Sequence, residues 1–453
     1  MENADVIVIG TGPGGEWLAG ELAEAGLDVV AVERHLVGGE CPYWGCVPTK
    51  MMVRAAHLLE EGRRIPGMAG EAEVRPDWDP VAARIRADAT ADWDDTVAVE
   101  RLEGHGGRLV RGTGRLEAPG VVSVGDRRIR AGRAIVLATG TSPDIPAIAG
   151  LADTPYWTNH EAVAAETLPR SLIVLGGGAV GAELTQVFSR FGVEVTVVDE
   201  ADRLLSQEEP EAGEIVAAVF AGEGIEVITG NGADRIDHDG SLFSVTLATG
   251  RNLSAERLLV ATGRRLGLTD LGLEVLGIDP AVDAVPVDEH LRVADGVWAV
   301  GDITGKGAFT HVSMYQAAIA AADILGRSHA PADYSAVPRV TFTDPEVASV
   351  GLTEAAANDE GIEVTVGSTP VPTTARGWMH KAGNDGVIKL VADRGRDVLI
   401  GATAVGPNGG EVIGLLTLAV KAATPLDLLR TMIYAYPTFH RGIEDALRHI
   451  PRR

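Results

Sequence analysis

Short β-branched runs recur along the chain, each followed by a glycine cluster and then by residues with helical periodicity. Val6-Ile7-Val8-Ile9 is apolar throughout, as a parallel strand covered on both faces requires, and it runs into Gly10-Thr11-Gly12-Pro13-Gly14-Gly15 and an amphipathic stretch to about Ala25. Val29-Val30-Ala31-Val32 predicts the next strand, which ends in Glu33. The pattern returns with Ser171 to Leu175, then Gly176-Gly177-Gly178-Ala179-Val180-Gly181, a helix, and Val193 to Val198 ending in Asp199. In both cases the acid stands eighteen positions after the last glycine.

A glycine cluster between strand and helix, with an acid at the next strand end, is a dinucleotide-binding signature. Gly10, Gly12 and Gly15, and again Gly176, Gly178 and Gly181, let the backbone approach a pyrophosphate at a helix N-terminus, while Glu33 and Asp199 are suited to ribose hydroxyls. Two such folds imply two dinucleotides, or one used twice. Ile135 to Thr139-Gly140 and Leu258 to Thr262-Gly263 are near copies of one another and predict two further strands. Val297 to Val300 predicts another, ending in Gly301-Asp302, with a helix from about Ser313 to Leu325.

Between these blocks, Met51 to Ala98 is helical and charged, with Trp78 and Trp93 expected to pack. Arg108 to Arg130 alternates in short runs that predict a small antiparallel meander. From Val337 the texture changes: Arg339 to Glu346, Gly386 to Val391 and Leu399 to Ala402 predict an antiparallel sheet, with helices after Gly410 and Thr424.

The only two cysteines of this 453-residue chain, Cys41 and Cys46, lie five apart in Gly39-Glu40-Cys41-Pro42-Tyr43-Trp44-Gly45-Cys46-Val47-Pro48-Thr49-Lys50. In a regular helix, positions five apart have Cα atoms roughly 8–9 Å apart, whereas a disulfide wants about 4.4–6.8 Å. A redox pair therefore needs a distorted turn, which Pro42 and Gly45 can supply. Two structural thiols, or half of a metal site, are the alternatives. Zinc would need two more ligands, and no close histidine cluster accompanies the pair, so no metal is expected there.

The formal net charge of −25 argues against nucleic acid and against an anionic membrane surface as partners. Met1 to Asp5 carries no basic segment or cleavage site, and no apolar run has the length of a bilayer span. A cytoplasmic location is expected, and in a reducing compartment a cysteine pair is more often catalytic or redox-sensing than structural.

On these motifs the chain resembles, nearly end to end, the class I pyridine nucleotide–disulfide oxidoreductases, the flavoprotein family of dihydrolipoamide dehydrogenase, glutathione reductase and mercuric reductase. The resemblance implies an α/β fold with two Rossmann-like domains, FAD-binding over 1–150 and 271–332 and NAD(P)-binding over 151–270, plus a C-terminal α+β dimer-interface domain over 335–453. It implies a homodimer acting on a small molecule. The first fingerprint would then hold FAD, with Thr139, Gly140, Gly301 and Asp302 beside it, and the second a nicotinamide nucleotide, with Gly263. Cys41 matches the interchange thiol, Cys46 the thiol against the flavin, Lys50 the lysine near flavin N5, and Glu183 its carboxylate partner. Asp199-Glu200, where NADP would need cations, favours NAD, although Arg203 is close by.

Two departures stand out. The family's proton-transferring histidine, in a His-Pro motif, is here Tyr436 before Pro437, and the glutamate that would hold it is Arg441. At neutral pH tyrosine is a poor base, its ordinary pKa being near 10 against roughly 6.5 for histidine. His440 with Glu444 one turn on would be a helix-face pair offering a substitute, or simply a surface pair. The second departure is Pro42-Tyr43-Trp44 between the cysteines, whose rings would shape a flat substrate site or fill space. With no cysteine after Cys46, the chain lacks the extra C-terminal thiols that the resemblance associates with mercuric reductase and the larger thioredoxin reductases. The expected activity is NADH-driven reduction of Cys41–Cys46 through FAD and then of a small disulfide or related sulfur compound. The alternatives are a quinone, metal ion or oxygen as acceptor, or a flavoprotein redox sensor.

Overall fold

The first apolar run is paired on both sides and covered on both faces. In the computed structural model, which describes residues 1–452, Glu2–Ile9 lies parallel to Val29–Glu33 on one edge and to Arg127–Leu137 on the other. Ile7 and Ile9 enter one apolar cluster with Leu116, Val122 and Leu271, while Val6 and Val8 enter another with Leu18, Leu22 and Ala320. A strand with a core on each side cannot alternate apolar with polar, which is why the run reads as continuous.

Two compact units are formed, the first from 1–48, 83–144 and 264–334, the second from 49–82, 145–263 and 335 onward. The first holds the sheet just described, in the order 292–294, 297–299, 127–137, 2–9, 29–33, 108–111. Its helix Pro13–Glu24 follows the first glycine cluster and packs on Thr310–Ile324, where a Cβ on Gly14 would lie 2.2 Å from Ser313 Oγ. Gly114–Ala118, Val121–Val124 and the start of Arg127–Leu137 form the expected antiparallel meander. Arg108–Arg111 does not join it: this run pairs in parallel with Val29–Glu33 as the sheet's edge. Exposed Arg108 and Arg111 flank buried Val110 in this strand, an alternation like that of the hairpins beside it.

The second unit contains a four-stranded parallel sheet in the order 226–228, 194–198, 171–175, 257–260, with helix Ala179–Arg190 after the second glycine cluster. It also contains a five-stranded antiparallel sheet, in the order 338–341, 346–351, 398–406, 387–393, 364–370, with helices Gly409–Lys421, Leu426–Thr431 and Gly442–His449. Ile388, Leu390, Leu416 and Ile443 share its core. Trp78 packs here, edge-on to Phe191 at 5.0 Å and donating Nε1–H to the Ala165 carbonyl at 2.8 Å. The fold is α/β with two Rossmann-like dinucleotide folds and a C-terminal α+β domain. No helix among the described residues is long and apolar enough to cross a membrane.

Candidate active site

Cys41 sits in the short helix Glu40–Tyr43, helicity breaks at Trp44-Gly45, and Cys46 opens the helix Cys46–Arg63. The break is the distorted turn that the spacing requires. A Cβ on Gly45 would stand 3.4 Å from the Glu40 carbonyl and 3.8 Å from Cys41 Cα, ordinary contact distances, so the turn itself does not demand glycine there. Both cysteines are thiols, hydrogen-bonded to one another. The Cys46 bond, with burial second, pushes the Cys41 thiol well above the ordinary range, while Thr310 acts in the opposite sense. Two sulfurs that share a proton give it up in two steps that belong to the pair as a whole.

Thr310 is the first residue of helix Thr310–Ile324, and its Oγ1 lies 3.4 Å from Cys46 Sγ. Its hydroxyl can serve either sulfur. The predicted helix start at Ser313 left it out, and a lone threonine far along the chain carries no sequence signal of contact with a cysteine. Glu40, beside Cys41, pairs with Arg264 at 3.2 Å.

The aromatic residues between the cysteines are occupied by packing. Tyr43 is buried, and Trp44 stacks on Trp93 with centroids 5.2 Å apart and planes 23° from parallel. Trp93 is presented by a left-handed turn in which Ala91, Asp92 and Trp93 have φ of 47°, 58° and 58°.

The two glycine clusters are built alike. Gly10 has φ +95° and Gly176 φ +101°, and a Cβ on either would lie 2.3 Å from a carbonyl, that of Ala138 or of Ala261. Gly15 and Gly181 press on the carbonyls of Gly10 and Gly176, at 2.2 and 1.9 Å from an added Cβ. The middle glycines differ from these: around Gly12 and Gly178 nothing lies within 4 Å of a Cβ position, and neither helix N-terminus has a side-chain cap. Open space before uncapped N–H groups fits a pyrophosphate.

Glu33 accepts from the Thr11 amide and hydroxyl at 2.8 and 2.9 Å, and Asp199 accepts from the Gly177 and Ala201 amides at 2.5 and 2.8 Å. Each acid thus holds the glycine turn opposite it. Thr139 Oγ1 donates to the Gly267 carbonyl at 2.7 Å, Gly140 has φ +59°, and Gly301 (φ +83°) donates its amide to Gln316 at 2.6 Å. Asp302 accepts from Thr141 Oγ1 at 2.7 Å, and around Gly263 a Cβ would meet nothing within 4 Å.

In the second unit, Lys50 Nζ lies 2.5 Å from Glu183 Oε2, and Glu183 Oε1 accepts the Phe342 amide at 2.8 Å. The Glu183 side chain is 5% exposed and that of Lys50 36%. The Phe342 ring lies beneath the ammonium, 4.9 Å from its centroid. No sequence signal points to Phe342, whose bond to Glu183 comes from a backbone N–H.

The C-terminal segment departs from expectation. Tyr436 is 65% exposed, with the Arg441 guanidinium 5.3 Å from its ring centroid. Glu444 is paired with Arg441 at 3.0 Å and Arg448 at 2.7 Å, so the His440–Glu444 pair does not form among the described residues. The physical reason is local: His440 precedes the helix Gly442–His449, outside the regular turn that would align it with Glu444, and its ring lies 6.0 Å from that of Tyr434.

Residues 4–322 match the model of the pyridine nucleotide-disulphide oxidoreductase family, and residues 337–447 that of its dimerisation domain. Among curated proteins, a mercuric reductase of Acidithiobacillus ferrooxidans is 35% identical, covering 99% of this chain and 82% of the relative. A dihydrolipoyl dehydrogenase of Thermus scotoductus is 33% identical over 98% of this chain and 97% of its own length. Among solved structures, the HOCl-induced flavoprotein disulfide reductase RclA of Escherichia coli, in its Cu(II) complex, superposes with a TM-score of 0.85 at 26% identity, covering 99% of both chains. LpdA of Mycobacterium tuberculosis gives the same TM-score of 0.85 at 26% identity, again over 99% of both chains.

Proposed function

Because this chain belongs to the class I pyridine nucleotide–disulfide oxidoreductases, FAD-dependent enzymes that use a pyridine nucleotide, we propose that it is an NADH-dependent reductase of a small disulfide or related sulfur compound, working as a cytoplasmic homodimer. The observation that carries the reading is the hydrogen-bonded pair of Cys41 and Cys46 on either side of a helix break, in the unit that bears the first glycine fingerprint.

In this reading FAD supplies the relay of an electron pair from nicotinamide to the cysteines. Gly10, Gly12, Gly15 and Glu33, with Thr139, Gly140, Gly301 and Asp302, hold it. Gly176, Gly178, Gly181, Asp199 and Gly263 hold the nicotinamide nucleotide, in a domain division of 1–150 with 271–332, 151–270 and 335–453. By the family resemblance Lys50, paired with Glu183, would serve as the lysine near flavin N5. Cys46 would be the thiol against the flavin and Cys41 the thiol that attacks the substrate.

The preference for NADH rests on Arg203 as well as on Asp199 and Glu200. Its Nη2 donates to the carbonyls of Ser206 at 2.7 Å and Glu208 at 3.3 Å, so this cation is engaged by backbone instead of waiting for a 2′-phosphate.

Cys41 attacks only as thiolate, yet its proton is held firmly. Tyr436 or His440 of the partner subunit would have to accept that proton. This tension favours a second reading, in which the dithiol or flavin passes electrons to a quinone or a metal ion and no base is needed for a leaving thiolate; RclA has been solved in complex with Cu(II). Turnover of NADH with a panel of small disulfides, quinones and Cu(II), for the parent and for Cys41→Ser, separates the two. Disulfide reduction abolished by the substitution supports the first reading. Quinone turnover that survives it, with no disulfide reduced by the parent, overturns it.

A further inference from the structure

Outside these sites, three side chains of the first unit that can each offer a metal ligand converge. His290 lies in the turn before the strand Arg292–Ala294, Asp323 in the last turn of helix Thr310–Ile324, and His329 in the loop beyond that helix. One ligand atom from each lies within 4.8 Å of the other two. We propose that His290, Asp323 and His329 form a binding site for a divalent transition-metal ion of the zinc class.

The arrangement of donors and acceptors supplies the argument. His329 Nδ1 is 3.0 Å from the Ala330 carbonyl, which calls for the proton on that nitrogen. Its Nε2 then presents a lone pair to Asp323 Oδ1, 3.4 Å away. Two acceptors facing one another need a cation between them. A proton would serve that pair alone, leaving His290 Nδ1 buried with no hydrogen-bond partner. A metal ion could take one ligand atom from each of the three. Bonds of about 2.0–2.1 Å in a tetrahedral site give ligand–ligand edges of about 3.4 Å, matching the Nε2 to Oδ1 separation. The His290 side chain is 34% exposed, so solvent can reach it.

The carboxylate is also held as metal ligands usually are, from its outer side. Trp298 Nε1 donates to Asp323 Oδ2 at 2.8 Å, and Arg292 donates to Oδ2 and Oδ1 at 2.6 Å each. The Arg292 charge opposes a second cation, but Asp288 and Asp295 act on that guanidinium and Glu289 lies 3.7 Å from His290 Nε2. Two imidazoles with one carboxylate suit zinc, copper or nickel in preference to calcium or magnesium, and three protein ligands leave a fourth position for water. An ion there would tie the turn before residue 292 to the end of the helix that begins with Thr310.

The test uses FAD-loaded protein with Cys41→Ser and Cys46→Ser, so that the thiols cannot bind the probe, freed of metal by chelation and then titrated calorimetrically with Zn2+. The expected result is one zinc per chain, with affinity at least ~10-fold weaker in His290→Ala and in His329→Ala. The melting temperature should also rise with Zn2+ in the parent only, because an ion that binds the folded state alone stabilises it. Retained flavin absorbance checks the fold, and His290→Gln replaces His290→Ala if that variant loses flavin. No zinc uptake, or uptake unchanged by the histidine substitutions, overturns the proposal.

Discussion

Thr310 Oγ1 stands 3.4 Å from Cys46 Sγ, and the same hydroxyl lowers the proton affinity of Cys41. A hydroxyl that can donate to either sulfur favours the thiolate form of the pair. Thr310→Val removes the donor at nearly constant volume. A hydrogen bond to a charged group contributes about 1.5–3 kcal/mol, so reduced Thr310→Val should react with iodoacetamide at pH 8 roughly tenfold more slowly than the parent. Equal rates would mean that the contact does nothing for the thiols.

Glu183 serves two groups of unequal weight. Lys50 is more than a third exposed, so its ion pair contributes at most ~1 kcal/mol after solvent screening. The Phe342 amide would lose its acceptor, at ~1–3 kcal/mol. Thermal denaturation should therefore find Glu183→Gln, which keeps an acceptor, close to the parent, and Glu183→Ala clearly less stable. The reverse order would contradict this division.

Helix Cys46–Arg63 also carries His57, whose pKa burial depresses from the ordinary 6.5 to about 4; Asp344 opposes the shift, and Arg190 and Arg64 assist it. The unfolded chain takes up a proton below 6.5 that the folded one refuses until about 4, so stability is full above pH 6.5 and falls as pH drops through that window. The difference corresponds to ~3 kcal/mol. Asp344, held below the usual carboxylate range by Arg190 and Arg64 despite its burial, adds a further loss at lower pH. Melting temperatures between pH 7 and 4.5 should decline more gently in His57→Gln than in the parent.

In the proposed reading, Asp199 and Glu200 would face the 2′-phosphate of NADP. Repulsion between unit charges 4 Å apart is worth ~1–4 kcal/mol between bulk-water and protein-surface dielectric. NADH should therefore exceed NADPH in kcat/KM by about tenfold or more, and Glu200→Arg should narrow the gap. Steady-state kinetics with both nucleotides provides the check.

What could be read from the sequence was whatever repeats or punctuates. Gly10 and Gly176 are required by the same carbonyl approach, and each is followed by a helix and an acid in fixed register, so the two dinucleotide folds were visible in advance. The thiol pair was visible because both cysteines lie within one turn-prone stretch. Contacts that depend on single residues far apart were not. Thr310 lies 264 positions from Cys46, and Phe342 reaches Glu183 across 159 positions through a main-chain N–H common to nearly every residue type. The Trp44–Trp93 stack depends on a left-handed turn with no glycine in it, which residue preferences argue against. Glu444 had three neighbours to choose from, and the pairing went to the two arginines, whose charge is permanent.

The central claim is that Cys41 and Cys46 carry the electron pair between nicotinamide and substrate. The direct test is anaerobic addition of one equivalent of NADH per chain to the FAD-loaded, oxidised protein, with free thiols counted under denaturing conditions and the visible spectrum recorded. The account predicts two new thiols per chain and a long-wavelength absorption band from thiolate beside flavin, the band being lost in Cys46→Ser. NADH oxidation with no new thiols and no such band would contradict it.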